Sequence, residues 1–306
     1  MRTNSDNNPV TAAIIVTFNP DLDTLHKSLC SLKLQVEFII IVDNSSQSRI
    51  SFDCITRENT ILVRLESNVG LAAAQNIGID HARRVDATHI LLLDQDSVVT
   101  GNMVSTLHEG MRFLKKNGVM KIGAIGPIYI DSKTGHQSHH RRFGLFGISK
   151  YKCCRDDEIV RVDYLIASGS LIEISTIDVV GRMEESFFID HIDTEWVLRA
   201  ASYGYFSWGH CGAKMHHSMG DSVTRVWFLR WRNIPTHQPS RYYYVFRNGV
   251  LLHLRPYVSR RWKWLDYVRM VQYILFIITL HDRKYASLKC AVVGVIDGLK
   301  KKTGKL

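Results

Sequence analysis

The sequence predicts an α/β fold built on a mostly parallel sheet, with a helical extension at the C-terminal end. Three observations carry this. Apolar, β-branched runs at residues 12–18, 38–42, 60–65 and 88–93 have the length and composition of strands buried on both faces. Helix-period patterns at 22–34, 71–85 and 103–116 alternate with them, as βαβ units require. The last of these runs ends abruptly in Asp94-Gln95-Asp96, and ligands of open α/β sheets gather at the carboxyl ends of strands.

Taken in order, residues 1–10 are polar and read as a frayed end. The first strand closes in Thr17-Phe18-Asn19-Pro20 and the second in Asp43-Asn44-Ser45-Ser46. The helix at 71–85 opens at Asn68-Val69-Gly70, and its small residues allow close packing against sheet or ligand. Gly123-Ala124-Ile125-Gly126-Pro127 reads as a break after the third helix. Residues 133–152, rich in Gly, His, Ser and Arg, read as a loop or loose hairpin. Residues 164–174 read as a strand bulged at Ser168-Gly169-Ser170. A turn and an amphipathic helix fill 187–203, a basic aromatic stretch fills 219–240, and 242–280 reads as helical.

The 306 residues suffice for one large domain or a domain with an appendage. The formal charge of +10 concentrates in the last third, which suits nucleic acid, an anionic membrane surface or an acidic substrate. No zinc-finger spacing, ribonucleoprotein motif or heptad repeat accompanies it, which argues against nucleic acid. Cys30, Cys54, Cys153, Cys154, Cys211 and Cys290 include no Cys-x-x-Cys, which argues against a structural zinc site. With no signal peptide at the start, they fit a reducing cytosol. No long charge-free apolar run predicts a transmembrane helix.

The chemistry concentrates in a few segments. Asp94 and Asp96 offer hard oxygen donors for a divalent cation, and a cation can hold a diphosphate; an Asp-rich helix cap is the plain alternative. Asp43 can accept hydrogen bonds from a base or ribose, although the Thr17–Asn19 and Asp43 turns each also read as ordinary loops. In Phe187-Phe188-Ile189-Asp190-His191-Ile192-Asp193-Thr194-Glu195, acids follow aromatics near a helix start, and one of them could serve as a general base. The pair His216-His217 could supply an imidazole to a metal. Arg241-Tyr242-Tyr243-Tyr244-Val245-Phe246-Arg247-Asn248 suits diphosphate or carbohydrate contacts, or equally a helix whose aromatics pack in the core.

In this order the segments resemble the inverting GT-A glycosyltransferases of the large family-2 type, and more narrowly the rhamnosyltransferases of bacterial surface polysaccharide and O-antigen synthesis. The resemblance covers residues 12–248; each motif is weak alone, and the order is the specific signal. It implies a Rossmann-like GT-A domain at 1–240, with a nucleotide-binding half at 11–130 and an acceptor-binding half at 131–240. A basic helical region at 241–306 would follow. It implies donor contacts from Thr17, Asn19, Asp43, Asn68, Gly70, Asn76, Asp94, Arg241, Tyr243 and Arg247. Asp96 and His217 would bind Mg²⁺ or Mn²⁺, with His216 the alternative to His217. Asp193 would be the catalytic base, with Asp190 a candidate to share that role; the family's Glu before it is Ile192 here, and its later Asp is Glu195. The implied donor is dTDP-L-rhamnose. The implied acceptor is an undecaprenyl-diphosphate-linked oligosaccharide at the inner face of the cytoplasmic membrane, with the tail making peripheral membrane contact. The same resemblance admits galactofuranose or N-acetylhexosamine donors.

Two rivals remain at this level. A haloacid-dehalogenase-like phosphatase also ends a hydrophobic strand in D-x-D, but normally its first strand. A basic membrane- or nucleic-acid-binding module would need the tail and not the carboxylates.

Overall fold

The computed structural model describes residues 9–47, 59–132, 135–144, 147–217, 222–228 and 230–306, and for 222–235 it describes the backbone. Most of the polar N-terminal stretch and Cys54 lie outside the described residues.

Strand β1 (Thr11–Thr17) leads through helix α1 (Leu22–Leu32) to β2 (Phe38–Asp43) and β3 (Thr60–Arg64). Helix α2 (Leu71–Arg84) returns the chain to β4 (His89–Asp94). These strands pair in parallel in the order β3-β2-β1-β4. The register sets Thr17 beside Asp43 and Val16 beside Asp94, so the strand ends that carry polar residues finish at one edge. Alternate residues bury on opposite faces, as the two-residue period of a strand demands. Ile14, Ile40 and Leu92 pack with Ala72, Ile79 and Ala82 of α2. Ile15, Ile41 and Leu91 pack with Leu25 and Leu29 of α1 on the other face. The small residues of α2 permit a close approach: a Cβ on Gly78 would lie 2.4 Å from Ile14 Cγ2.

The sheet continues past β4. After the short β5 (Val98–Val99) and helix α3 (Met103–Lys116) comes β6 (Ile122–Asp131), where the sequence reads as a break. Its glycines are there for room: a Cβ on Gly123 would sit 3.1 Å from the Tyr205 carbonyl oxygen, and one on Gly126 would meet Leu165 Cδ1 at 2.5 Å. Pro127 falls where the pairing with the neighbouring strand shifts register, so its missing N–H disrupts no regular ladder. The hairpin expected in 133–152 is present as β7 (His140–Gly144) and β8 (Gly147–Tyr151), followed by β9 (Ile159–Val162). The strand expected at 164–174 shrinks to β10 (Leu171–Glu173), because Ser168-Gly169-Ser170 turns and Gly169 takes a φ of 84°. β10 inserts antiparallel between β4 and β6, so the sheet crosses the expected division at residue 130 without a break.

Helices α4 (Ile174–Val180) and α5 (Ile192–Ser202) flank a 3₁₀ turn at Glu185–Phe187. Next come β11 (Phe206–His217) and an antiparallel hairpin of β12 (Ser222–Phe228) and β13 (Arg230–Thr236). β11 pairs in parallel with β6 and antiparallel with β5 and β9. The cysteines are not all free thiols: Cys153 and Cys211 form a disulfide that ties the chain after β8 to β11.

The helical tail is three helices: α6 (Pro239–His253), α7 (Arg260–Leu280) and α8 (Lys284–Leu299). α8 lies directly on α6 because it presents glycines there. A Cβ on Gly294 would be 2.4 Å from the Tyr243 carbonyl oxygen, and one on Gly298 2.8 Å from that of Arg247. Among the described residues no helix is long and apolar enough to cross a membrane.

This crossing gives a direct test. Gly294→Ala places a methyl against backbone that cannot rotate away, and should lower unfolding free energy by about 1–3 kcal/mol, the usual cost of overpacking. Gly101→Ala, where the same methyl meets nothing within 4 Å, should stay within about 0.5 kcal/mol of wild type in the same urea titrations.

Candidate active site

A cavity of about 680 Å³ opens at the carboxyl ends of β1 and β4. Asn68, Gly70, Asp94, Asp96, Asp193, His217 and Arg241 all line it, drawn from segments far apart in sequence.

Asp94, Asp96 and His217 meet on one side, with ligand atoms within 4.8 Å of one another. Asp94 closes β4, and its backbone N–H donates to Ser168 Oγ at 3.1 Å. His217 ends β11, with Nδ1 3.2 Å from Asp96 Oδ1 and Nε2 3.7 Å from Asp94 Oδ2. Strand alternation resolves the histidine pair: His217 is buried in the cluster and His216 is exposed. Ser97 Oγ stands 3.0 Å from His217 Nδ1 and 2.7 Å from Ser168 Oγ. Nothing in the sequence marked these serines as site residues, since Ser97 follows β4, Ser168 precedes β10, and only the pairing of those strands brings them together. Burial alone would discourage charge on His217, but the Asp96 hydrogen bond and the carboxylates of Asp94, Asp96 and Asp131 outweigh it and raise its pKa. Burial raises that of Asp94, against the pull of His217. Two carboxylates and an imidazole this close together could hold a cation.

Across the cavity sits the acidic segment before α5. Phe188, Asp190 and His191 all have φ near +63°, a left-handed region that non-glycine residues avoid. The turn persists because it is held from several sides. Phe188 accepts the Leu71 N–H at 2.6 Å, and a Cβ on Gly70 would fall 2.6 Å from the Phe188 ring, so Gly70 is needed for this approach as well as for its own φ of 91°. The Phe188 ring stacks on Tyr244 at 5.3 Å. Asn248 donates its amide to the carbonyls of Phe187, Ile189 and Asp190 at 2.7–3.0 Å, and Arg247 Nη2 reaches the Phe187 carbonyl at 2.9 Å.

The turn delivers two carboxylates with different environments. Asp190 accepts from Arg241 Nε and Nη2 at 3.1–3.2 Å. Asp193 accepts the Thr194 N–H at 2.7 Å, and burial pushes its pKa up to about 6, opposed by that hydrogen bond and reinforced by Asp94. Glu195 faces away, fully buried against Arg199 and Tyr257.

Several residues implied as donor contacts stand elsewhere. Asp43 is buried beside the cavity, with Oδ1 accepting from Ser46 Oγ at 2.5 Å and from Thr17 Oγ1 at 3.3 Å. Asn19 hydrogen-bonds the backbone N–H of Gln47, and Gln95, which does line the cavity, accepts the Phe18 N–H. Asn76 ties α2 to Met183 and Glu185. Tyr243 and Arg247 do not line the cavity: Tyr243 donates to Asp297 of α8, and Arg247 is fully buried as part of the clamp on the turn. For these two the packing alternative describes the structure. Residues without a sequence signal complete the wall: Tyr164, Tyr273 and Arg269. Arg269 donates to His191 Nε2 at 3.0 Å and pairs with Asp266, which also contacts His253 at 2.9 Å.

A doubly wound sheet with this cluster at the end of β4 and a cavity closed by a later acidic turn defines a glycosyltransferase of the GT-A type. The chain belongs to glycosyl transferase family 2: residues 12–164 match the family model of that description. Among similar proteins, it is 30% identical over 293 residues to "dTDP-rhamnosyl transferase RfbF" of Shigella flexneri, covering 95% of this chain and 96% of the relative. It is 33% identical over 121 residues to an N-acetylglucosaminyltransferase of Azorhizobium caulinodans, covering 37% of this chain and 30% of the relative. The fold resembles that of GalNAc-T7, solved with UDP, GalNAc and Mn²⁺, with a TM-score of 0.57 at 13% identity. That match covers 91% of this chain and 59% of the other. Both rival readings give way to these matches, and D-x-D closes β4 rather than a first strand.

Asn248→Ala should test the clamp. Removing its amide leaves buried carbonyls short of donors, a cost of about 1–3 kcal/mol. The variant should show a lower urea midpoint and a lower kcat. An unchanged kcat would show that the turn holds its shape without it.

Proposed function

We propose that this glycosyltransferase is an inverting, metal-dependent rhamnosyltransferase. In this reading it moves L-rhamnose from dTDP-L-rhamnose to an undecaprenyl-diphosphate-linked oligosaccharide on the cytoplasmic face of the membrane, in O-antigen or related polysaccharide synthesis. The observation that carries the donor is the end-to-end match to a relative named as a dTDP-rhamnosyl transferase. Residues 11–130 would hold the nucleotide and 131–240 the acceptor, with α6 and α7 of the 241–306 region closing the site through Arg241 and Arg269.

Two carboxylates and an imidazole fit Mg²⁺ or Mn²⁺. Asp94, Asp96 and His217 would hold the ion, which when bound neutralises the developing charge of a leaving diphosphate. The protein's own groups do the rest. Arg241 and Arg269 add positive charge to the same cavity. Asn68 and Gly70 line the wall at the start of α2, where a donor's diphosphate or sugar would pass. Asp193 takes the proton from the acceptor hydroxyl as that oxygen attacks the anomeric carbon from the face opposite the leaving group, and one displacement gives inversion. Asp193 suits a base because burial lifts its proton affinity. Asp190, engaged by Arg241, is better placed to position the turn.

The apolar surface of the tail supports a peripheral membrane role. Trp262 and Phe276 are buried in the core, and Tyr273 and Arg269 line the cavity, so none of the four is offered to a membrane. The exposed stripe of α7 is Trp264, Tyr267, Val271, Leu275 and Ile278, at helical spacing, with exposed Arg260 and Arg261 one turn before Trp264. Apolar and aromatic residues edged by cations match the interface of an anionic leaflet.

A donor comparison tests the activity. With Mn²⁺ present, turnover is expected with dTDP-L-rhamnose over UDP-N-acetylglucosamine, UDP-galactofuranose and GDP-sugars; turnover with a UDP-sugar alone would reassign the donor. Asp193→Asn should retain donor binding while kcat falls by at least about 10²-fold. A carboxylate base works deprotonated, so wild-type activity should climb as pH rises through about 6. A cation beside Asp94 offsets that group's repulsion, so a limb well above pH 6 would point to another group.

Arg260→Gln with Arg261→Gln should weaken co-sedimentation with anionic liposomes, at about 1 kcal/mol per charge at low salt, and spare transfer to a short soluble acceptor. Unchanged sedimentation would leave the stripe to another partner, such as a second copy of the chain.

A further inference from the structure

Away from the active site, the structure brings together a second set of metal-ligating side chains. His140 of β7, Cys153 just after β8 and Cys211 of β11 place their ligand atoms within 4.8 Å of one another. His140 and Cys211 are almost wholly buried. The His140 ring lies flat on β11 at Gly209, where a Cβ would fall 2.3 Å from its Cε1 and Nδ1. The glycine two residues before Cys211, on the same face of the strand, therefore makes the seat for the imidazole.

The hydrogen bonding of that ring is unequal. One ring nitrogen bonds the backbone of His210, while Nε2 is buried with no hydrogen-bond partner. A buried polar atom without a partner is uncommon and costly. A buried imidazole nitrogen that makes no hydrogen bond is free to bind a metal, and metal-binding histidines are usually held through their other nitrogen.

We propose that, when the Cys153–Cys211 disulfide is reduced, His140 Nε2 and the two cysteine sulfurs form a binding site for Zn²⁺. Imidazole and thiolate are the ligands Zn²⁺ prefers, at about 2.0–2.1 Å and 2.3 Å, and the three leave a fourth position for water. Cys154, exposed with its thiol near the Lys152 carbonyl, stands outside the cluster. The exchange balances: a phosphine reductant gives two electrons to the disulfide and takes oxygen from water, two thiols form, and Zn²⁺ displaces their two protons. Either form fastens the β7–β8 hairpin to β11. The hairpin in turn reaches the active site, since Arg141 bridges to Tyr164 and lies 5.6 Å from the centre of that ring in the cavity wall.

The test uses the full chain without a histidine tag, stripped with a chelator, reduced with a phosphine under anaerobic conditions, and then given one to two equivalents of ZnCl₂. One Zn²⁺ per chain should survive gel filtration, by elemental analysis. Co²⁺ in its place should show a thiolate-to-cobalt charge-transfer band. Cys153→Ser, Cys211→Ser and His140→Gln should each lower Zn²⁺ affinity at least about tenfold. The disulfide form should lose stoichiometric binding, and Asp96→Ala should keep it, which separates this site from the one at β4. Cys153 is only partly buried, so its variant reports on the site even where Cys211→Ser fails to fold. Absence of stoichiometric Zn²⁺ in the reduced protein, absence of the cobalt band, or equal binding by the Cys153→Ser and His140→Gln variants would overturn the proposal.

Discussion

The active site depends on a turn that the chain would not adopt alone. Phe188, Asp190 and His191 occupy left-handed backbone, a conformation that typically costs of order 1 kcal/mol or more per non-glycine residue. Its carbonyls are taken by Asn248 and Arg247 of α6 and by the Leu71 N–H at the start of α2. Those bonds are buried, where leaving one unmade costs more than making it gains. The clamp thereby fixes Asp193 across the cavity from Asp94 and Asp96, and makes α6 part of the framework of the candidate site.

The same logic explains why Arg247 is buried yet tolerable. Its guanidinium meets the carbonyls of Phe187, Ser186 and Gly304 and lies 5.0 Å from the Tyr244 ring centre. A buried cation satisfied by several carbonyls and an aromatic face avoids the penalty of an unpaired charge. Glycines 294 and 298 of α8 let that helix close over α6 and complete the enclosure. α7 joins from another side, where Asp266 holds His253 and Arg269, and Arg269 holds His191. The C-terminal helices thus reach the 188–191 turn through the Asp266–Arg269 ion pair and the hydrogen bond from Arg269 to His191.

The carboxylates divide their work by surroundings. Asp190 lies against the Arg241 guanidinium, which gives it a fixed direction. Asp193 lacks such a partner and is desolvated, which raises its affinity for a proton. Asp94 and Asp96 face a histidine whose ring is held by a serine pair. In the proposed reaction, these three environments would let one group orient, one accept a proton and a pair hold a cation.

The sequence by itself determined the strand and helix alternation through α3, the polar residues at the ends of β1, β2 and β4, and the order of motifs that marks the family. Those features are local: a period of two or 3.6 and a strand terminus can be read from neighbours in the chain. Only the tertiary structure decided what depends on distant partners. Residues 123–127 look like a breaker, yet their glycines are spaces for Tyr205 and Leu165, and so they form a central strand. Tyr243 and Arg247 carry the chemistry of ligand contacts, yet α8 and the 188–191 turn claim them first. Ser168 and Arg269 reach the cavity only because β10 pairs with β4 and α7 meets the 188–191 turn. His140, Cys153 and Cys211 show no metal-binding spacing, since strand pairing and not sequence separation sets the distance between them. Local periodicity is written in the chain, whereas the side that a polar group faces is settled by whichever buried partner satisfies it.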